Sequence, residues 1–71
     1  MTRESVQREI EREELAFMVG RSLVVVYGAK IPFSREERIR VYRNLLDRSK
    51  LTAGQCDLAR RAILAMGGTL E

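Results

Sequence analysis

Histidine and tryptophan are absent from this 71-residue chain, and cysteine and proline occur once each. Without an imidazole there is no histidine general base, and Cys56 has no such partner to draw off its proton. One cysteine excludes an intramolecular disulfide framework and the Cys-rich zinc modules, and makes a reducing, cytoplasmic compartment the expected location. No Pro- or Ser-rich tract occurs, so neither a disordered tail nor a collagen-like fibre is expected. The opening MTRESVQREIEREE lacks the basic start and apolar run of an export signal. The longest apolar stretch, Leu15 to Tyr27, contains Arg21 and is too short to cross a bilayer.

What remains is 45% apolar and 32% charged, with 13 basic against 10 acidic side chains and a net charge of +3. That is the composition of one small globular domain, residues 1–71. A core this small leaves little margin over the entropy of ordering the chain. With no disulfide and no metal ligands in view, good helix packing or burial against another chain has to make up the difference, and a homodimer is expected.

The punctuation predicts three helices, at about 2–27, 35–48 and 53–66. The first starts at Thr2 or Ser5, and Gly28 stands where a left-handed C-terminal cap falls. Ala29 to Phe33 is a link in which Pro32 biases Ile31 toward an extended backbone. Ser34-Arg35-Glu36-Glu37 has capping-box spacing, and Thr52-Ala53-Gly54-Gln55 repeats it, with Leu51 and Cys56 placed as a hydrophobic staple. Gly67-Gly68 closes the third helix.

At 100° per residue the second helix gathers Ile39, Tyr42, Leu45 and Leu46 on one side, with Val41 at the margin. The third carries Cys56, Leu58, Ala59, Ala62, Ile63, Ala65 and Met66 over about half its circumference and is expected to lie centrally. In the first, Val6, Ile10 and Phe17 form a thin apolar stripe through charged residues, whereas Leu15 to Tyr27 is apolar nearly all round. Its charged N-terminal half should overhang the other two helices. The β-branched run at 23–27 is also compatible with a short strand, which would need a partner from another copy. The fold class expected is therefore all-α, a hairpin of the second and third helices packed on a longer first one.

Catalysis finds no foothold in these residues. Cys56 lies on an apolar arc, Glu13/Glu14 and Glu36/Glu37 are adjacent and diverge by about 100° on a helix, and no Gly-rich phosphate loop occurs. No enzyme, no metal and no cofactor is expected. Charge is more informative: Thr2 to Glu14 holds three arginines and five glutamates, net −2, and Arg35 to Lys50 holds six basic and three acidic residues, net +3. Those segments are complementary, although Glu4/Arg8, Glu36/Arg40 and Asp57/Arg61 also have the i,i+4 order of ordinary exposed helix pairs.

The function expected is that of a non-enzymatic protein-interaction module, a homodimeric regulator or inhibitor that binds and modulates a larger protein. Dimer or partner contacts fall to Val6, Ile10, Phe17, Met18 and Val24, with the apolar side of the third helix contributing to the dimer. Charged contacts fall to Arg38, Arg40, Arg43, Arg48, Lys50, Arg60 and Arg61. The alternative is a small helical DNA-binding transcriptional regulator, with Gln55 leading a recognition helix. Against it, the third helix is too apolar to spare a whole face, and the arginines of the second are interrupted by Glu36, Glu37 and Asp47. Membrane-surface attachment is not expected, because the amphipathic half of the first helix is acidic. Eleven arginines against two lysines are what a GC-rich genome produces, and a small bacterial or phage regulator fits that usage.

Overall fold

Side-chain oxygens set the helix starts. In a computed structural model describing residues 2–29 and 31–70, the Ser5 amide donates to Thr2 Oγ1 at 3.2 Å and opens α1, Arg3–Tyr27. Helix α2, Arg35–Arg48, begins at a complete capping box: the Glu37 amide donates to Ser34 Oγ at 3.1 Å, and the Ser34 amide donates to Glu37 Oε1 at 2.8 Å. Helix α3, Ala53–Ala65, repeats it with Thr52 and Gln55, both bonds at 3.1 Å. Each box satisfies amides that the first turn of a helix otherwise leaves without partners.

The C-terminal ends differ. Gly67 has φ 84° and its amide donates to Leu64 O at 3.0 Å, while the Gly68 amide donates to Ile63 O at 2.9 Å. That is a Schellman closure, the left-handed stop expected of Gly67-Gly68. Gly28 corrects the corresponding expectation for α1: its φ is 82° but its ψ is 177°, so the chain leaves extended instead of curling back. One bond, from the Gly28 amide to Val24 O at 2.8 Å, closes the last turn. The Ile31–Pro32 peptide bond is cis.

Each of the three helices packs on the other two. Every helix turns a stripe of four-residue spacing inward: Leu15, Val19 and Leu23; Val41 and Leu45; Gln55, Ala59 and Ile63. Residues four apart stack on one helix face, and Ala59, fully buried, lets its neighbours approach α3 closely. Gln55 at the start of α3 meets Glu11 of α1, and α1 residues 16–23 share a groove with Ala62 and Met66 near the end of α3, so these two helices run in the same direction. Helix α2 runs the opposite way, since Gly68, just past α3, lies against Ile39 in the first half of α2.

The helix expected over 2–27 holds to its end, its strand alternative falls, and two local expectations are corrected. Residues 23–27 are helical, not a strand: Leu23 is buried and Val24, Val25 and Val26 face outward, and among the described residues there is no second strand to pair with. Val41, expected at the margin, is 3% exposed, and Ile39, Tyr42 and Leu46 are half-buried around it. Helix α2 lies against both α1 and α3, so the centre of its buried face points between them. Ala65, placed on the apolar arc, is exposed. Thr2 and the first eight residues of α1, 3–10, are exposed throughout, and the molecule's longest dimension, 37 Å, matches the roughly 38 Å of a 25-residue helix. Among the described residues no helix is long and apolar enough to cross a membrane.

Candidate functional site

The outward face of α1 carries the candidate site. Val6, Ile10, Phe17 and Val24 lie roughly 155° around the helix from the stripe Leu15, Val19 and Leu23. Burial of one stripe therefore forces the other into solvent: Phe17 is 69% exposed, and Val6, Ile10 and Val24 between 42% and 47%. Glu13 and Gly20 complete an alternating four-and-three spacing, Val6, Ile10, Glu13, Phe17, Gly20, Val24, which is the repeat that keeps one seam facing a second helix. Beyond the helix end, Ile31 is 85% exposed.

Met18, grouped with these residues in the sequence reading, sits elsewhere. It is half-buried and packs against the core, so it borders the stripe without belonging to it. Beside the stripe lies an apolar groove with Ala16, Gly20 and Leu23 of α1 on one wall and Ala62, Ala65 and Met66 of α3 on the other. Small side chains make that wall low. Arg38 and Tyr42 of α2 lie at its edge.

The basic residues do not form one patch. Arg38, Arg40, Arg43, Arg48, Lys50, Arg60 and Arg61 are all exposed. Arg43 Nη2 donates to the main-chain oxygen of Thr69 at 2.8 Å, tying the segment after α3 to α2. Arg61 pairs with Asp57 at 3.1 Å, one of the three i,i+4 pairs expected. Arg40 shares the outward side of α2 with Glu36, Asn44 and Asp47, so this face alternates in sign, while Arg48 is exposed only as the last residue of the helix, seven positions on from buried Val41.

Gln55, expected as the capping partner of Thr52 and, under the DNA alternative, as the lead of a recognition helix, is taken into the interior. It is 2% exposed, and besides its capping bonds its Nε2 donates to Glu11 O at 3.2 Å and to Glu14 Oε2 at 3.3 Å. Thr52 Oγ1 also donates to Glu11 Oε2. These bonds hold the Gln55 side chain against α1. The capping spacing was a visible signal for its role at the helix start, but its burial depends on α1 lying over it.

Among the described residues no group of three or more His, Cys, Asp or Glu side chains comes together as a metal site, and Cys56 is half-buried on α3. No protein-family model, no curated protein and no solved structure matches the chain.

Proposed function

We propose that the chain is a non-enzymatic protein-interaction module, a small homodimeric regulator that binds and modulates a larger protein. The observation that carries this reading is the exposed stripe Val6, Ile10, Phe17 and Val24, set opposite the core on the longest helix. Apolar surface removed from water contributes about 25 cal/mol/Å². A chain with seven buried apolar residues among those described has a small core of its own, and the surface of Phe17 alone is large on that scale. Contiguous apolar strips with charged borders are what contact surfaces between proteins look like. Exposed Arg40, Arg48 and Lys50 supply long-range attraction for an acidic surface on the larger partner.

The test is affinity capture from the native host lysate, comparing the unaltered chain with Phe17→Asp and with Asn44→Asp on the outward side of α2. The expected result is a protein retained by the unaltered chain and by Asn44→Asp and lost with Phe17→Asp. Identical sets retained by all three, or nothing retained by any, would defeat the reading. A duplex-DNA titration at two salt concentrations runs beside it, and tight salt-sensitive binding there would favour the nucleic-acid alternative.

A further inference from the structure

Two features of the α1 stripe go unused by the chain's own fold. The first is Gly20. Glycine inside a helix is less stable than alanine by roughly 0.5–1 kcal/mol, yet a Cβ at this position would meet nothing within 4 Å. Nothing in the fold described here requires the missing side chain. A second helix crossing the stripe does, because a glycine on the seam lets another backbone or a large side chain come close.

The second is the order of charges. Glu9, on one border of the stripe, and Glu13, within it, are acidic; on the other border Glu14 is acidic and Arg21, seven residues on, is basic. Two parallel copies in register would set Glu13 against Glu13 and bring Glu9 of each chain to Glu14 of the other, six carboxylates along a shared seam. An antiparallel pair related by a two-fold axis brings like borders together. With Phe17 level with Gly20, residue positions facing each other sum to 37, and Arg21 of one chain lies within two residues, about 3 Å along the axis, of the level of Glu14 in the other. That contact occurs twice. Glu14 turns one carboxylate oxygen to Gln55, leaving the other for an arginine.

The geometry points to a second copy of this chain, packed antiparallel along α1, as the occupant of the stripe, with Phe17 of each copy seated on Gly20 of the other beside the groove walled by Ala16 and Ala65. This deepens the reading above and rests on it by naming what covers the seam. Val6 and Ile10, on the overhanging end of one α1, then lie along the far end of the other, where Val24 and Ile31 are exposed. The two small cores gain a shared apolar layer, and the acidic half of each α1 is kept away from its own likeness.

Sedimentation equilibrium of the purified full chain across micromolar and submillimolar concentrations tests this. The expected mass is twice 8.2 kDa. Gly20→Leu should return it to a monomer of unchanged helicity, because the position is exposed and a Cβ there meets nothing within 4 Å in the single chain. Arg21→Glu should weaken the dimer roughly tenfold, from two attractive contacts turned repulsive. Glu14→Arg should do likewise, and an equimolar mixture of the two variants should form a heterodimer of restored affinity. A parallel dimer gives the opposite sign: Glu14→Arg would then tighten it, and Arg21→Glu, level with Ala16, would leave it unchanged. If Glu14→Arg loses stability with its Gln55 bond, Arg21→Glu alone still reads the direction. A monomer at every concentration, a dimer tightened by Glu14→Arg, or a dimer indifferent to Gly20→Leu and Arg21→Glu would each overturn the inference. A monomer that still captures a partner through Phe17 leaves the partner-binding part of the reading standing and removes its dimer.

Discussion

Gln55 Nε2 donates to the main-chain oxygen of Glu11 at 3.2 Å, so the side chain that caps α3 also fastens α3 to α1. Its Oε1 meanwhile accepts from the Thr52 amide at 3.1 Å. Replacing it with alanine removes the Gln55 half of the capping box and empties a buried site. Gln55→Ala should cost about 1–3 kcal/mol, measured as a lower urea midpoint with unchanged slope. A loss no larger than that of an exposed substitution would show that the tie carries no weight.

Caps at the two ends of the chain should differ in effect. Ser34→Ala removes half of the α2 box in a helix packed on both neighbours, and should lower global stability by roughly 1 kcal/mol. Thr2→Ala removes the equivalent bond at the overhanging end of α1, where residues 2–10 are exposed. It should fray that end, seen as faster amide hydrogen exchange, while the melting transition stays within the error of the original.

Two glycines should respond to alanine with opposite sign. Gly20→Ala at concentrations low enough for monomer should stabilise by roughly 0.5–1 kcal/mol, since the added methyl meets nothing. At Gly68 the same methyl would stand 2.8 Å from Ile63 Cγ2 and 3.2 Å from Ile39 Cδ1, and Gly68→Ala should destabilise. Chemical denaturation of both variants at one low concentration checks the pair.

Ile63 and Phe17 are both large and apolar, yet their substitutions should diverge. Ile63 is 1% exposed and Ile63→Ala should cost about 2–5 kcal/mol. Phe17→Asp should leave the monomer within about 0.5 kcal/mol of the original, because that ring has no place in the core. Urea titration under dilute conditions separates them, and a large loss at Phe17 would mean that the ring supports the single chain.

The sequence by itself determined where the helices begin and end, and that they are helices at all over most of their length. Ser34 with Glu37, Thr52 with Gln55, and Gly67-Gly68 act through bonds to amides and carbonyls three to five residues away, so the information they need is local. The stripe Val6, Ile10 and Phe17 was legible for the same reason, since spacing alone sets a helix face. Which of the many apolar faces turned inward was settled only by the tertiary structure. Between Leu15 and Tyr27 the chain is apolar nearly all round, and the burial of Leu23 with Val24, Val25 and Val26 left outside follows from where α2 and α3 lie. Val41 at the centre of its face, Met18 at the core edge and Gln55 in the interior have the same origin. Each is placed by two neighbouring helices at once, and burial is a property of the space between elements, which no single helix carries in its own periodicity.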